Sequence, residues 1–562
     1  MEYLEIDLTA GTMSLHPDGG MRGLALAIDL YNGCNQDAIV IASPSSEAIE
    51  NAGSAAFSIV FTSPITEKVS FAYSNLPMGY SLYKLGLSAL VIRGKIHRLS
   101  YVSLYQGQYE VIAAEGLKGA TSTEFEKIVR SVQDSALSTS RAADNGIKFS
   151  TLQGQGKAVS APGLGYAFHE RGLKGIVAQG FAKVDVVKNA SKWSRRVEKS
   201  AFARRIRKQG ACCFVEDALR LGWLPVRYYS DRFDPRAYSL SSKNFVEIYG
   251  NYPDSCQDCF LACGRRKKDN SVLPTWQDVM MLGTNLGIFA PEKVIKLSSA
   301  AFEQGLDSTH LGALLSYAST LEDTELEMLG IKDLSIESYL KLIYLIGENR
   351  GSGALFQEGL KTFPKAIQSD RGEAISADLR GNYEAAILSS MSLPIFLPAG
   401  AVLPKFPMNP ECAAILALYE LIYVLALLEY GYRPFSAAAL YWSRIPEIAY
   451  HVPFLMRMFC RGFTLYGHKM KELLPKGLEL FDKLKLEMED IPEYFEMEPR
   501  SAIDNRTVPM RKLKEYFYSE KFKVETMVKS IREKMVKPSS DSNAAVGPSE
   551  DLGLDADPGL SK

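Results

Sequence analysis

The sequence predicts an α+β protein in which a strand-rich N-terminal domain is followed by mainly helical domains. Up to about residue 183, short apolar or alternating segments are separated by glycine-containing turns, which is typical of β-strands. From about residue 190, apolar residues recur at helical spacing over longer stretches. The 562 residues are enough for roughly three to four domains.

The strand-rich block begins with a predicted hairpin. Residues 4–8 and 12–15 alternate between apolar and polar side chains, and Gly11 lies in the turn between them. Further strands are predicted at residues 38–42, 57–61, 89–93, 100–104 and 175–178. A helical segment over residues 122–132 interrupts this series of strands.

The second part of the chain is dominated by helical patterns. Residues 413–428 form the most apolar segment, but it is short and contains Glu420, so it predicts a buried helix rather than a membrane span. The basic run over residues 192–208 predicts a solvated helix face. The Ser/Asp/Gly/Pro-rich residues from 537 predict disorder. The other predicted helices cover residues 291–304, 311–321, 336–348 and parts of 411–480.

Composition and charge exclude several classes of function. Lys and Arg number 64 against 65 Asp and Glu, so the chain has no basic surplus for binding nucleic acid. The N-terminus lacks the basic and apolar regions of a signal peptide, and no segment is predicted to span a membrane. Eight cysteines in a chain of this length do not form a disulfide scaffold. The clustering of three of them indicates a reducing cytoplasm.

Three of the eight cysteines, Cys256, Cys259 and Cys263, lie within eight residues. Thiolates at this spacing can point from a tight turn toward one metal centre, because iron and zinc both favour sulfur ligands. An iron–sulfur site with a distant or missing fourth ligand is the first interpretation. A structural zinc site is a second, although no histidine follows at the usual spacing. Buried, inert thiols are a third.

A series of glycine-rich and proline-containing motifs accompanies the cysteine triplet in a fixed order. Residues 84–95 carry the most distinctive one, Lys-Leu-Gly-Leu-Ser-Ala-Leu-Val-Ile-Arg-Gly-Lys. The others are residues 19–24, 62–66, 156–165, 282–287, 305–312 and 353–361. Together these motifs resemble, along almost the whole chain, those of the tungsten-containing aldehyde ferredoxin oxidoreductase family.

This resemblance implies a domain organisation and a set of cofactors. The N-terminal base consists of two pseudo-symmetric sheet halves, and two helical domains cover it. A tungsten or molybdenum ion held by two pterins lies between the domains, beside a 4Fe-4S cluster, and a magnesium ion bridges the pterins. The implied bounds are 1–185 for the sheet domain, 186–385 for the helical domain with the cysteine triplet, 386–536 for the C-terminal helical domain and 537–562 for a disordered tail.

The resemblance also implies cofactor-binding residues. Asn75 and Ala158 match positions whose backbone carbonyls bind the bridging magnesium. Asp307 matches a carboxylate that accepts hydrogen bonds from the pterin, although a helix N-cap explains it equally well. Lys157 and Ser160, in the second glycine-rich loop, and Leu311, beside Asp307, are the remaining predicted cofactor-binding positions.

Several positions depart from the family pattern. Phosphate-binding arginines are replaced by Ala56, Lys157 and Ala161, and each lost contact is worth about 1.5–3 kcal/mol. Gln277 occupies the position of a glutamate near the metal, and no histidine follows the segment that normally precedes the catalytic one. The position of the fourth cluster cysteine, in an Asp-x-x-Gly-x-Cys motif, aligns with Leu428. Cys412 and Cys460 are expected to be buried in helices.

Two functional hypotheses follow from this pattern. In the first, the chain oxidises an aldehyde-like small molecule and passes electrons through the 4Fe-4S cluster to ferredoxin or another redox protein, in the cytoplasm and with oligomerisation possible. In the second, it is a diverged paralogue that keeps the fold as a scaffold or electron-transfer subunit and has lost the pterin. An unrelated zinc-stabilised protein ranks third.

Overall fold

The chain folds into two β-sheets followed by two groups of helices. The computed structural model describes residues 1–536 with the exception of 51–54, 130–134, 160, 162, 181–191, 223, 250–251, 257–258, 370–371, 376–386, 388–390, 392–407, 434–444, 463, 466–467 and 489–509. The disordered tail predicted for residues 537–562 lies outside the described residues.

The N-terminal domain contains two six-stranded mixed sheets. The first has the strand order β2-β1-β6-β3-β4-β5, and the second has the order β11-β10-β9-β12-β7-β8. The strands are β1 (Glu2–Asp7), β2 (Thr12–Pro17), β3 (Ala38–Ala42), β4 (Phe57–Thr62), β5 (Val69–Ser74), β6 (Leu87–Arg93), β7 (Ser100–Tyr105), β8 (Gln108–Ala113), β9 (Ser135–Ser138), β10 (Leu152–Gly154), β11 (Lys157–Val159) and β12 (Leu173–Gln179).

The two sheets repeat one topology. Adding six to each strand number of the first sheet and reversing the list gives the order of the second. In each sheet one parallel pair, β1 with β6 or β7 with β12, is flanked by antiparallel neighbours. This repetition confirms the α+β fold class with a two-halved sheet domain, which no short sequence repeat revealed.

The alternation seen in the sequence explains how the sheets pack. Leu4 and Ile6 of β1 are buried, whereas on β2 Leu15 is exposed and Met13 is partly buried, as expected for a half-covered edge hairpin. Apolar side chains from both sheets form a shared core that includes Ile92 and Val102. The other face of the first sheet packs against helices. Val40 lies in the same core as residues of the helix Pro410–Glu429, such as Leu418.

Helices fill the connections within and beyond the sheets. Within the N-terminal domain they are α1 (Gly23–Gly33), α2 (Ser46–Glu50), α3 (Met78–Lys84), α4 (Ser122–Val129), α5 (Arg141–Asp144) and α6 (Leu164–Glu170). The next group is α7 (Lys192–Lys199), α8 (Ala201–Gln209), α9 (Cys213–Leu221), α10 (Ser242–Tyr249), α11 (Trp276–Asp278), α12 (Pro291–Gln304), α13 (Ser308–Ala318), α14 (Asp323–Met328) and α15 (Ile336–Gly347). The C-terminal group is α16 (Pro410–Glu429), α17 (Pro453–Arg461), α18 (Met470–Lys483) and α19 (Met510–Val536).

Short elements complete the helical part. Two small hairpins are formed by β13 (Tyr252–Asp254) with β14 (Gly264–Arg266), and by β15 (Thr464–Leu465) with β16 (His468–Lys469). A π-helical turn covers Val279–Gly283, and 3-10 turns cover Glu115–Leu117, Pro235–Leu240, Thr284–Leu286, Gly351–Phe356, Gly359–Thr362 and Glu447–Tyr450.

Helix α16 is the central element of the C-terminal group. It is long and apolar enough to cross a membrane by length and composition, but 94% of its most apolar window is buried inside the protein. It packs against α17, α18 and α19 on one side and against α1 of the N-terminal domain on another. The structure therefore confirms the predicted buried helix over residues 413–428.

Most of the longer predicted elements occur close to their expected positions. The predicted helix over 291–304 coincides with α12, and the predicted strand over 38–42 coincides with β3. The sequence analysis missed β5 and β8–β11. Strands β10 and β11 have three residues each, which is too short for an alternating pattern, and their neighbours in the sheet define them.

Candidate cofactor site

The cysteine triplet lies in the connection between β13 and β14. The backbone N–H of Cys259 donates to the carbonyl of Cys256 at 3.1 Å, which closes a tight turn. The carbonyl of Cys263 accepts from the N–H of Ala211 at 2.9 Å and ties the loop to the start of α9. Local hydrogen bonds therefore hold the three thiols on one compact loop.

A buried arginine from the C-terminal group of helices contacts this loop. The Nη1 atom of Arg433 lies 2.6 Å from Sγ of Cys259, and its Nη2 atom lies 3.8 Å from Sγ of Cys263. Arg433 is only 7% exposed. Burial lowers the pKa of Arg433, but the charges of the three thiols raise it more, so the guanidinium remains protonated.

The third thiol, that of Cys256, lies close to the same charged groups. Burial raises the pKa of Cys256 to about 11, with a further contribution from Cys263, whereas the nearby charges of Arg433 and Lys157 act to lower it. The three thiols and Arg433 therefore form one group, named the thiol pocket below.

The thiol pocket does not resemble a site for one metal ion. Among the described residues, no three His, Cys, Asp or Glu side chains lie close enough to hold a single ion. A structural zinc ion binds four such ligands directly, and the zinc interpretation stays open. An iron–sulfur cluster makes a different demand, since its cysteines bind separate iron atoms and stand further apart. The donor set, three thiols and a cation, suits an anionic cluster.

The structure corrects the expected position of the fourth ligand. Leu428 is fully buried in the apolar core formed by α16 and does not belong to the thiol pocket. Five residues later, Gly431-Tyr432-Arg433 has the glycine of the family's Gly-x-Cys segment with an arginine in place of the cysteine, and Arg433 reaches the thiols. The predicted position of the fourth ligand, Leu428, is therefore wrong.

The remaining cysteines occupy other surroundings. Cys412 in α16 and Cys460 in α17 are fully buried in the C-terminal apolar core, as expected. Cys212 and Cys213 lie close to Arg265, and the thiol of Cys212 donates to the carbonyl of Pro274 at 3.3 Å. Burial raises the pKa of Cys213 to about 12. Neither thiol is among the charges that act on Arg433.

An ion-pair network joins the thiol pocket to the sheet domain. Lys157 of β11 lies 3.0 Å from Oδ2 of Asp254, and Arg266 of β14 lies 3.2 Å from Oδ1 of the same carboxylate. Asp254 ends β13, two residues before the first cysteine of the triplet. The side chain of Lys157, predicted to bind the cofactor, is thus held by a carboxylate beside the thiols.

The two predicted magnesium-binding positions lie on neighbouring elements. Strand β5, which ends one residue before Asn75, contacts β11, which contains Ala158. The side chain of Asn75 donates to the carbonyl of Ala55, and Ala158 is exposed. Ser160 lies outside the described residues. The assignment of these residues to a cofactor stays a prediction.

Asp307 adopts the alternative role that the sequence left open. Its Oδ1 atom accepts from the backbone N–H of His310 at 2.8 Å, so it caps α13. Its own N–H donates to the carbonyl of Phe149 at 3.0 Å, which docks the start of α13 near β10. Burial raises the pKa of Asp307 to about 6. Leu311 is fully buried in the helical core, and its assignment to a cofactor stays a prediction.

Three partly accessible side chains from different elements have buried surroundings. They are Tyr73 of β5, Cys256 and Asp307. Burial raises the pKa of all three groups. Tyr73 lies near Arg433 and Glu420, which connects it to the thiol pocket.

At the turn that contains Gln277, the described residues carry no free carboxylate to act as a base. Residues 388–390 and 392–394, in the segment that precedes the family's catalytic histidine, lie outside the described residues. Gln277 lies half-buried in α11. Its neighbour Asp278 accepts from the N–H of Thr275 at 2.7 Å and from the hydroxyl of Ser298 at 3.1 Å, so this carboxylate serves helix capping. The family's glutamate therefore has no substitute at this turn.

His310 is a packing residue in the structure. Its Nε2 atom accepts from the N–H of Leu360 at 3.0 Å, and its ring stacks on Phe149 with a centroid distance of 4.9 Å. The side chain is 1% exposed, and burial lowers its pKa to about 3. This neutral histidine has the surroundings of a core residue.

The buried neutral state of His310 predicts acid sensitivity. Unfolded chains bind a proton at this histidine below about pH 6.5, whereas the folded protein does so only near pH 3. The free energy of unfolding should therefore fall as the pH drops, by about 2 kcal/mol between pH 6.5 and 5 from this group alone. His310→Gln, which keeps an acceptor for Leu360, should reduce that loss in urea unfolding measured at both pH values.

A surface histidine provides the control for this measurement. His97→Gln, at an exposed position, should leave the pH dependence of the wild type unchanged. Equal pH dependence in the wild type and in His310→Gln would show that His310 does not cause the acid sensitivity.

Three features define the architectural class of the chain. They are the strand order of the sheets, the helical groups packed on them and the thiol pocket where these parts meet. Its residues 4–180 match the profile described as "Aldehyde ferredoxin oxidoreductase, N-terminal domain". Residues 188–396 match "Aldehyde ferredoxin oxidoreductase, domains 2 & 3". The chain belongs to the aldehyde ferredoxin oxidoreductase family.

Individual relatives are distant. The chain is 26% identical over 282 residues to a tungsten-containing aldehyde ferredoxin oxidoreductase of Pyrococcus furiosus, covering 47% of this chain and 46% of the relative. It is 24% identical over 352 residues to the protein of the same name from Thermococcus kodakarensis, covering 57% and 58%. It is also 24% identical over 342 residues to an aliphatic sulfonate oxidoreductase, WOR-like subunit, of Pyrococcus furiosus, covering 54% of each. The chain spans about half the length of the curated relatives it matches.

A solved structure shows the same fold over nearly the whole chain. It is the active site complex BamBC of benzoyl coenzyme A reductase in complex with 1,5-dienoyl-CoA. The TM-score is 0.67 at 14% sequence identity, and the match covers 97% of this chain and 100% of the other. This similarity concerns the fold alone.

Proposed function

We propose that the chain is an oxidoreductase that oxidises an aldehyde-like small molecule at a tungsten or molybdenum bis-pterin. An iron–sulfur cluster at the thiol pocket passes the electrons to ferredoxin or another redox protein in the cytoplasm. The observation that carries the proposal is the position of the thiol pocket. The loop with the cysteine triplet contacts β11, which lies in the second glycine-rich loop, through the ion pair of Lys157 with Asp254. The chain that contains this contact belongs to the aldehyde ferredoxin oxidoreductase family.

The surroundings of the thiol pocket fit an anionic metal cofactor. Arg433 and Lys157 supply positive charge close to the thiols, and buried anions require such partners. Asn75 and Ala158, on contacting elements, offer backbone carbonyls for a bridging magnesium ion. Asp307 offers a carboxyl whose raised pKa of about 6 suits hydrogen bonding to a pterin ring. When bound, the metal centre supplies the two-electron chemistry.

The chain's own residues limit the proton chemistry. Gln277 can orient a substrate or water by hydrogen bonds but cannot take up a proton. The proton that an aldehyde oxidation releases therefore leaves through a group other than the glutamate and histidine of the family pattern. This departure points to a substrate or a rate that differs from those of the named relatives.

The metal content of anaerobically purified protein tests the proposal. Cells supplied with tungstate or molybdate should yield about one tungsten or molybdenum per chain together with iron and releasable pterin, and an aldehyde should then reduce a viologen dye. Iron at full occupancy without tungsten, molybdenum or pterin would contradict the proposal and favour a cluster-carrying paralogue that lacks the pterin.

A further inference from the structure

The segment that carries Arg433 is fixed to the sheet domain. Gly431 has φ +71°, and an added Cβ would come within 2.5 Å of the Cα of Pro44. Its carbonyl accepts from the N–H of Ala56 at 2.7 Å, and Tyr432 forms an isolated bridge with Ala55. Because only glycine fits this backbone position, the match of Gly431 to the glycine of the family motif has a structural reason.

Arginine cannot replace cysteine as a ligand. The guanidinium group is always protonated in proteins and has no acceptor lone pair, so it cannot bind iron. It can, however, donate to sulfur, as it does to Cys259, and offset the charge of thiolates. Exchanging a thiolate for a guanidinium changes the local charge by two units at a site where Arg433 and Cys259 are buried.

We propose that Arg433 occupies the place of the fourth cysteine, so that Cys256, Cys259 and Cys263 are the only cysteine ligands of the cluster. Arg433 then positions and charge-balances the cluster, and one iron atom has no protein ligand. The inference rests on the proposed function only in placing iron at the thiol pocket, and it is independent of tungsten, pterin and substrate.

An iron atom without a protein ligand should be lost on mild oxidation. Ferricyanide, as the oxidant, accepts one electron while a 4Fe-4S cluster in the 2+ state releases one Fe²⁺ ion and becomes a 3Fe-4S cluster in the 1+ state. No sulfide is lost, and the three cysteines keep their bonds to iron. The cluster should therefore be converted rather than destroyed.

The experiment compares reconstituted wild type with Arg433→Cys under anaerobic conditions. Ferricyanide should lower the iron content of the wild type from about four to about three per chain and produce the electron paramagnetic resonance signal of an oxidised 3Fe-4S cluster. Arg433→Cys, which restores a thiol at this position, should keep about four irons and lack the signal. Arg433→Lys, which keeps the charge without a thiol, should behave like the wild type.

A second measurement needs no variant. Adding ⁵⁷Fe²⁺ and a thiol reductant to the oxidised wild type should label one iron site per cluster, observed by Mössbauer spectroscopy. A wild-type cluster that keeps all its iron through oxidation, or label spread over all iron sites, would overturn the proposal. The absence of iron from reconstituted wild type would also overturn it. A protein without tungsten but with this iron chemistry would instead refute only the proposed function.

Discussion

Cys259→Ser is expected to remove most of the brown absorbance of the purified protein near about 400 nm, which arises from thiolate-to-iron charge transfer. Three cysteines are the proposed protein ligands of a cluster at the thiol pocket, and Cys259 is the one in closest contact with Arg433. Losing one of three thiolates leaves too few protein ligands to retain the cluster. Iron content and absorbance, measured after anaerobic purification, should fall together.

A distant cysteine provides the control for this loss. Cys34, at the end of α1, is partly buried and lies outside the thiol pocket. Cys34→Ser should keep the iron and the absorbance of the wild type. Serine at position 259 retains an acceptor for Arg433, so far-ultraviolet circular dichroism should show an intact fold. Unchanged absorbance in Cys259→Ser would remove the cluster from this pocket.

Lys174→Met is expected to cause the largest loss of stability among single changes considered. The Lys174 side chain is 0% exposed, and its Nζ lies 2.5 Å from Oδ2 of Asp144, which is itself 1% exposed. Nζ also donates to the carbonyl of Ala120 at 2.8 Å. Removing the cation leaves a buried carboxylate without its counter-charge, which costs about 3–5 kcal/mol. Urea unfolding, followed by fluorescence and circular dichroism, measures the change.

The same substitution at the surface is the matched control. Lys95 pairs with Glu170 at 3.0 Å, but both side chains are more than half exposed. Lys95→Met should therefore change the free energy of unfolding by less than about 1 kcal/mol. Adding Asp144→Asn to Lys174→Met should recover part of the loss, since the amide carries no charge and its single oxygen keeps one of the two acceptor positions that serve Thr139 and Gly119. Equal effects at positions 174 and 95 would contradict the argument.

The function of this pair is to join the second sheet to its covering helix. Lys174 lies on β12, and Asp144 ends α5. Asp144 also accepts from Thr139 and from the backbone of Gly119, so its carboxylate fixes two loops beside the sheet. Buried ion pairs of this kind specify one arrangement of the elements that they connect.

Local patterns in the sequence predicted much of the fold. Apolar runs of four or five residues bounded by turns were sufficient to predict β3 and β6, and helical periodicity predicted α12 and α15. The order of motifs, including the cysteine triplet, identified the family that the domain profiles confirm. These features depend on neighbours in the chain, so they are visible in a single sequence.

Only part of the candidate site could be predicted from local sequence patterns. The three cysteines are close in the sequence, but their partner Arg433 lies 174 residues after Cys259. Asp254 holds Lys157 across 97 positions. Asp307 matched a cofactor position and a helix cap equally well, and the cap is what the structure shows. The contacts of Arg433 and Lys157 depend on how domains pack, which residue patterns do not report.

The sequence by itself therefore determined the sheet-then-helix order, the long buried helix and the grouping of three thiols, because backbone propensity and apolar spacing act over a few residues. Tertiary structure alone decided that the two sheets repeat one topology and that a guanidinium stands beside the thiols. Both depend on contacts between distant segments, where burial requires each charge to find a partner regardless of its position in the chain.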